Sequence, residues 1–311
     1  MTTDSIHDIL ETGAAIPTWF GCGGGADTLA RPRSVGELRD LLHIFAGEPI
    51  RVLGDGANLL VDDAGVDGLV ISLERLNAVT PIGFDESDPS PARPTPVGVR
   101  AQAGAKLPRL ITDCVRAGLA GLEHLAGIPA TVGGAAFMNA GGAFGDTAQA
   151  LHAVTALTRL GDALRIPHEE INFAYRHSGL GWLVIVEAEF DLTRLPEGEQ
   201  PRLRQRLKDV MAFKRDSQPL AKSSAGCAFK NPVVGGERLS AGMLIDRAGC
   251  KGLTVGGAAV SDVHANFVVT APGCTARDVL GLCDRVAERV RSAHGVTLEP
   301  EIVVWRRTER S

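Results

Sequence analysis

The sequence predicts an α+β protein built as three units in series, and three observations carry that expectation. A chain of 311 residues with 44% apolar content exceeds one comfortable core and divides into two or three domains of ordinary size. Short runs with strand character alternate with amphipathic helical segments along the chain, with no repeat at a solenoid period. Between Gly118 and Gly145, GLAGLEHLAGIPATVGGAAFMNAGGAFG concentrates glycine and small residues with almost no charge, which is not the composition of a surface helix.

In chain order, a short first helix precedes a glycine cluster with a strand-like tail, Thr18 to Pro32. Ser34 and Glu37 stand at capping-box spacing and predict a helix through about Phe45. Ile50 to Leu53 reads as a short buried strand. GDGANLLVDD, Gly54 to Asp63, then turns backbone amides toward a common point before a strand at Gly68 to Leu73. A phosphate-binding turn and an ordinary β-turn both fit that segment; its glycine spacing is not a dinucleotide-binding fingerprint, and it lacks a Walker lysine.

Asp85 to Pro96 is polar and proline-rich, an exposed loop, whereas Val97 to Ala103 alternates as a strand. Lys106 to Ala117 is an amphipathic helix stopped by Gly118. Leu151 to Arg159 and Leu183 to Asp191 are strands flanking the polar segment Asn172 to Ser178, NFAYRHS. Thr193 to Pro201 is a connection, and Arg202 to Lys214 a basic amphipathic helix leading to a boundary near Arg215. A polar, small-residue loop, Ser217 to Pro232, opens the last part, followed by a helix at Ser240 to Ala248 and strands within Gly256 to Val269. Thr275 is an N-cap with Asp278 in the first turn, and Val279, Leu282, Val286 and Val290 share one face until Gly295 ends the helix. LEPEIVVW closes the chain as a strand. The domains expected are 1–75, 76–214 and 215–311.

A formal net charge of -5, a pI near 5.9 and the lack of a Lys/Arg stripe argue against nucleic-acid binding. The N-terminus has no basic region ahead of an apolar core, and no segment approaches the roughly 18 apolar residues of a membrane span; a cytoplasmic protein is expected. Six cysteines, Cys22, Cys114, Cys227, Cys250, Cys274 and Cys283, lack CxxC pairs or metal spacing and read as reduced thiols, with no metal site.

Repeated glycines beside Ile128, Pro129, Thr131 and Val132 let a backbone or a ligand come close, which suits a flat or anionic guest such as a large cofactor, with Asn139 as a polar handle. Close packing of a helix on a strand is the alternative. Arg176 is either a site residue or a solvated, locally paired group, and Tyr175 taken alone reads as packing.

GDGANLLV, GLEHLAGIPATVGGAAFMNAGG, YRHS, SSAGCAFKNP, AGMLIDRAGCKG, VSDVHANFVV and GVTLEPE follow one another in an order that resembles the UDP-N-acetylenolpyruvoylglucosamine reductase (MurB) family from about Thr18 to Trp305. The resemblance implies a two-part FAD-binding region of the vanillyl-alcohol-oxidase/PCMH type, residues 1–75 and 76–214, plus a C-terminal α+β substrate-binding domain, 215–311. It implies a cytoplasmic flavoenzyme of peptidoglycan synthesis that uses NADPH to reduce the enolpyruvyl ether of a UDP-sugar to UDP-N-acetylmuramate, with no obligate protein partner. The short connection after Arg176 resembles the compact subgroup lacking an extra tyrosine-bearing loop.

By the same resemblance, Gly54, Asp55, Gly56, Ala57, Asn58 and Leu59, with Gly127, Ile128, Pro129, Ala130, Thr131, Val132, Gly133, Gly134 and Asn139, hold FAD non-covalently. Arg176 and Glu301 stabilise an enolate-like intermediate, with Glu299 the lesser candidate. The family's proton donor is a serine in an SAGS motif, and Cys227 stands in its place. A thiol is a stronger acid than an alcohol and stays mostly protonated near neutrality, so the replacement is chemically tolerable. Lys230 and Asn231 suit the substrate diphosphate or its neighbourhood, with Arg215 either adding charge there or solvated at the surface. His264 and Asn266 read first as structural. Ala57, Ala130, Phe144 and Thr270 depart from the serine, glycine, tyrosine and asparagine common in the family. Two other readings stay open: another FAD-dependent sugar oxidoreductase on the same fold, and a non-catalytic flavin- or nucleotide-binding homologue.

Overall fold

The computed structural model describes residues 6–82 and 93–308. By contact these sort into two units: one holds residues up to Glu11, Leu29–Gly54 and Leu69–Lys214, the other Thr12–Thr28, Asp55–Gly68 and residues from Arg215 on. Each has its own apolar core.

After the helical Ile6 and His7 come β1 (Leu10–Ala15) and β2 (Gly25–Ala30). The short first helix expected ahead of Thr18 has its described part at Ile6 and His7, and the chain turns into strand at Leu10. Helix α1 (Val35–Ile44) starts where the spacing of Ser34 and Glu37 predicts, with Ser34 Oγ accepting the Glu37 amide at 3.1 Å. The reciprocal half of the capping box is diverted: the Glu37 carboxylate accepts from Arg33, at 2.6 Å from its amide and 3.0 Å from Nε. Leu38, Leu41 and Leu42 bury the inner face of α1 completely. Next come β3 (Ile50–Leu53), β4 (Leu59–Val61) and β5 (Val66–Ser72), and β3 pairs in parallel with β5 from Ile50 opposite Leu69 to Leu53 opposite Ser72.

The rest of the first unit is organised on β13. In chain order it comprises β6 (Val79–Ile82), β7 (Thr95–Gln102), α2 (Leu107–Arg116), β8 (Leu119–Ala120), α3 (Val132–Met138), β9 (Gly141–Gly142), β10 (Gly145–Asp146), β11 (Leu151–Leu157), β12 (Ala163–Pro167), β13 (Val184–Arg194) and α4 (Gln200–Ser217). The antiparallel order is β12-β11-β13-β7-β6, with β8 on β13. Val186, Ala188, Phe190 and Leu192 of β13 point into the core at period two, while Glu189 on the other face pairs with Arg100 at 3.1 Å and Arg165 at 2.6 Å. Most of the proline-rich loop expected at Asp85 to Pro96 lies outside the described residues, and Thr95 and Pro96 already belong to β7. Within the small-residue run, α3 is a short helix with Val132, Gly133, Ala135 and Ala136 buried. A Cβ at Gly133 would lie 2.7 Å from that of Ala103, so glycine is what lets α3 approach the end of β7.

The second unit adds β14 (Val233–Val234), β15 (Glu237–Arg238), α5 (Ala241–Arg247), β16 (Thr254–Val255), β17 (Ala258–Val260), β18 (Val268–Thr270), α6 (Ala276–His294) and β19 (Val303–Trp305). β19 runs parallel to β4, with Val303 opposite Leu59. Only the last three residues of LEPEIVVW form strand; ahead of them Pro300 makes an isolated bridge to Phe229. Helix α6 closes a full capping box between Thr275 and Asp278, and the Asp63 carboxylate accepts the amides of Ala276 at 2.8 Å and Arg277 at 3.1 Å. Val279, Leu282, Val286 and Val290 bury its inner face, and Gly295 ends it at φ +67°. No helix among the described residues is long and apolar enough to cross a membrane.

Thr275→Ala removes one half of that box, and the expected loss is about 1 kcal/mol of unfolding free energy. Urea denaturation followed by circular dichroism checks it: the midpoint falls with unchanged slope, and Thr275→Ser recovers most of the loss.

Candidate functional site

The glycine-rich run is built outward from α3. At its near end Glu123, buried, accepts the Gly121 amide at 2.7 Å and pairs with Arg206 of α4 at 3.3 Å. Gly127 follows at φ +72°, and a Cβ there would stand 2.9 Å from Lys214 Cδ and 3.2 Å from Met211 Sδ, so two side chains of α4 close over this glycine. The amides of Ile128, Val132 and Gly133 donate to Leu125, Ala105 and Ala103, and that of Gly134 to Thr131 Oγ1 at 3.2 Å. Those four donors hold the loop in shape. Gly54 is exposed, and a Cβ on it would meet Thr131 Oγ1 at 3.2 Å and Gly134 Cα at 3.8 Å. Gly54, Thr131 and Gly134 thus make one side-chain-poor face.

The far end of α3 holds Arg176. Asn139 caps the helix in the left-handed region, φ 42° and ψ 56°, and is only 3% exposed. Its Nδ2 donates to the Ala174 carbonyl at 3.1 Å and to Asp146 at 3.3 Å, while its Oδ1 accepts the Ala148 amide at 3.0 Å. Ser178 Oγ donates to the Phe137 carbonyl at 2.7 Å. Between these two tethers Ala174 and His177 exchange backbone hydrogen bonds of 2.9 and 3.1 Å, making a tight turn with Tyr175 and Arg176 at its tip. Arg176 takes φ +57°, and its guanidinium carbon lies 4.9 Å from the centre of the Tyr175 ring. A non-glycine residue held in that region stores of order 1–3 kcal/mol and persists only where the surroundings impose it.

Lys214 also belongs here, and the sequence reading passed over it in favour of its neighbour. Leu203, Leu207, Val210 and Lys214 recur at helical spacing and form the inward stripe of α4, which is the signal that would have found it. Lys214 is 7% exposed, and no hydrogen-bonding or anionic partner faces its ammonium among the described residues. Burial first, then the Arg176 guanidinium, push its pKa down to about 8. Arg215 is exposed and pairs with Asp216 at 3.4 Å.

In the second unit Gly56 takes φ +66°, and a Cβ there would lie 2.2 Å from the Pro17 carbonyl oxygen. Leu59 is buried in β4. Asn58 donates through Nδ2 to the Glu301 carbonyl at 3.1 Å and accepts the Val303 amide on its own carbonyl at 3.0 Å. Cys227 and Glu301 are brought together by backbone pairing: the Glu301 amide donates to the Ala228 carbonyl at 2.8 Å, and the Lys230 amide to that of Glu299 at 2.8 Å. From the other side Asn266, 2% exposed, grips Phe229 through both ends of its amide, at 3.0 and 2.8 Å, and accepts the Ala228 amide at 2.7 Å. Lys230 pairs with Glu299 at 3.6 Å, and Asn231 accepts the Ala241 amide at the start of α5 at 2.9 Å. His264 uses Nδ1 to accept the Asn266 amide at 3.2 Å and meets Phe267 edge-on at 4.9 Å; burial lowers its pKa. This geometry suits a neutral, structural imidazole. Thr270 anchors Phe20 by a 2.6 Å bond to its carbonyl.

A side-chain-poor face at Gly54, Thr131 and Gly134, with a buried cation near Gly127 whose charge no described residue matches, fits a large, partly anionic cofactor. A family model described as an FAD binding domain matches residues 26–167, and one described as the C-terminal domain of UDP-N-acetylenolpyruvoylglucosamine reductase matches residues 218–305. The class is therefore that of an FAD-binding protein with a reductase-type C-terminal domain. Over 93% of its length the chain is 42% identical to the UDP-N-acetylenolpyruvoylglucosamine reductase of Moorella thermoacetica, covering 90% of that protein, and 40% identical to that of Syntrophobacter fumaroxidans, covering 81%. The crystal structure of the Thermus caldophilus UDP-N-acetylenolpyruvylglucosamine reductase superposes with a TM-score of 0.75 at 38% identity, covering 93% of this chain and 96% of that one. The chain belongs to the UDP-N-acetylenolpyruvoylglucosamine reductase family. A similarity to 6-hydroxy-D-nicotine oxidase of Arthrobacter nicotinovorans, TM-score 0.52 at 15% identity over 94% of this chain and 84% of that one, shows the shared fold of this class of flavoprotein.

Replacing Asn139 separates its backbone and side-chain contributions. Asn139→Gly keeps the left-handed cap but loses the amide, so a cost of about 1–3 kcal/mol is expected for the stranded Ala148 and Ala174 groups. Asn139→Ala adds about 1 kcal/mol of left-handed strain, and Asn139→Asp sets a second carboxylate against Asp146. Chemical denaturation of the three variants should rank Gly above Ala in stability, with Asp also below Gly.

Proposed function

We propose that this chain reduces the enolpyruvyl ether of UDP-N-acetylglucosamine enolpyruvate to UDP-N-acetylmuramate with NADPH, in the synthesis of peptidoglycan precursors. Membership of the reductase family supports the reaction, and the residues present support the division of labour. FAD, when bound between these residues, would supply the hydride-transfer chemistry that links NADPH to the terminal methylene of the enolpyruvyl group. Residues 1–75 and 76–214 form the two parts of the FAD-binding region, and residues 215–311 the substrate domain. Gly54 to Leu59 and Gly127 to Gly134 hold the cofactor, and Asn139, whose amide is engaged within the protein, contributes by shaping α3 and the Arg176 turn.

Hydride addition leaves negative charge on the carbon next to the substrate carboxylate and on the carboxylate itself. Arg176 matches that charge with a planar cation already held in one conformation, so little reorganisation accompanies the reaction. Glu301 supplies a further hydrogen bond to the enolate, directly or through water. Cys227 delivers the proton that completes the reduction, and its thiolate is reprotonated from solvent. Lys230, Asn231 and, at the surface, Arg215 serve the UDP-sugar, with Lys230 exchanging Glu299 for a phosphate oxygen.

The observation that carries the acid assignment is the double hold on Ala228 and Phe229, by Asn266 on one side and Glu301 on the other. It fixes Cys227, in the position of the family's serine, beside Glu301. The test is anaerobic: protein reduced with NADPH is mixed with UDP-N-acetylglucosamine enolpyruvate and flavin reoxidation is followed by absorbance. Cys227→Ala should be reduced by NADPH at nearly the normal rate, reoxidise on the order of 100-fold or more slowly, and be largely rescued in Cys227→Ser. Wild-type reoxidation in the Ala variant would remove Cys227 as the acid; failure of the unmodified protein to reoxidise would remove the reaction itself.

A further inference from the structure

Lys214 is a buried cation for which the described residues supply no anion. Taking an ammonium out of water costs several kcal/mol unless something compensates it. A second cation, Arg176, stands close enough to depress its pKa further. The lysine is nonetheless kept on the inward stripe of α4, where a Leu or Met would satisfy the helix pattern. Its stem lies over Gly127: the site of the absent Cβ is 2.9 Å from Lys214 Cδ and 3.8 Å from Nζ. Gly127 in turn opens the loop that leads through Thr131 and Gly134 to the face shared with Gly54. The ammonium therefore sits between the loop assigned to the cofactor and the turn that carries Arg176.

We propose that Lys214 is a further residue of the site, whose ammonium stabilises the negative charge gained by the isoalloxazine when it is reduced. The proposal rests on the FAD reading given above. Hydride moves from the nicotinamide to flavin N5, NADPH becomes NADP+, and the added electron pair leaves one negative charge delocalised over the N1 and C2 carbonyl end of the ring. A neighbouring ammonium makes that charge less costly, raises the reduction potential, and favours any nucleophile that adds at N5. Arg176 remains the partner of the substrate carboxylate, and Lys214 of the cofactor, which gives the two adjacent cations separate anions.

The experiment uses the FAD-loaded full chain and three variants, Lys214→Met, Lys214→Arg and Lys208→Met, the last an exposed lysine of the same helix. The readouts are the FAD dissociation constant, the two-electron potential against a reference dye, the dissociation constant for sulfite, which adds at N5 as hydride does, and that for the UDP-sugar. Lys214→Met should retain FAD while binding sulfite at least tenfold more weakly. Its potential should fall by the matching tenfold preference for oxidised flavin, about 30 mV for a two-electron couple. Lys214→Arg should stay near the unmodified protein, and Lys208→Met should match it. An Lys214→Met protein that keeps its potential and sulfite affinity would overturn the proposal, and a loss confined to UDP-sugar affinity would reassign Lys214 to the substrate. If Lys214→Met does not fold, an Lys214→Arg protein with the potential lowered as far as loss of the charge predicts would overturn it equally. Absence of FAD binding by the unmodified chain would instead overturn the cofactor reading beneath it.

Discussion

The position of Arg176 depends on the C-terminal end of a seven-residue helix, α3. A strained arginine needs surroundings that leave it no other conformation, and here the Asn139 amide and the Ser178 hydroxyl clamp the Arg176 turn to that helix end. The clamp joins the small-residue run to the turn across a separation of 35 residues in one bond and 41 in the other. Glycine and alanine let α3 lie close against the end of β7, and the polar tethers convert that closeness into a fixed position for a guanidinium. Packing and chemistry are thus served by the same short segment, which explains why its sequence is so poor in large or charged side chains.

The second unit uses the same device with different parts. A short irregular segment carrying Cys227 would have no regular ladder to hold it, yet Asn266 supplies a donor and an acceptor to Phe229 as a strand would, and the chain around Glu301 supplies the other edge. Asn58 then ties β4 to the Glu301 carbonyl. Buried amides of this kind are fully satisfied and rigidify what they touch, whereas a half-satisfied one would destabilise the unit. The acid role proposed for Cys227 would benefit from such rigidity, because a misplacement of about 1 Å can cost on the order of 100-fold in rate.

Helices with hydroxyl caps and a clear apolar face were legible in the sequence. Ser34 starts α1 and Thr275 starts α6, and the stripe from Val279 to Val290 is buried as its spacing requires. Among short strands, Ile50–Leu53 was legible as β3, but others were not. β1 bends at Gly13, and β6 and β12 are edge strands with few buried residues, so neither carries the alternation that marks a half-buried strand. The long strand expected at the C-terminus shrinks to three residues because Leu298 to Glu301 serve the Cys227 segment instead.

The sequence by itself determined the α+β class, the order of the motifs and the family they belong to, and it singled out Arg176, Cys227 and Glu301 as the groups proposed to react, because those features reside in residue type and spacing. Only the tertiary structure decided what each polar group is bound to. Asn139, expected to contact the cofactor, and Asn266, read first as structural, both prove to be engaged on both ends of their amides by the protein. Of two neighbouring cations, Arg215 faces solvent and Lys214 lies buried with no anion beside it among the described residues. The physical reason is that hydrogen-bond satisfaction and desolvation depend on what long-range packing brings within about 3 Å of a group, and that distance is not written in the local sequence.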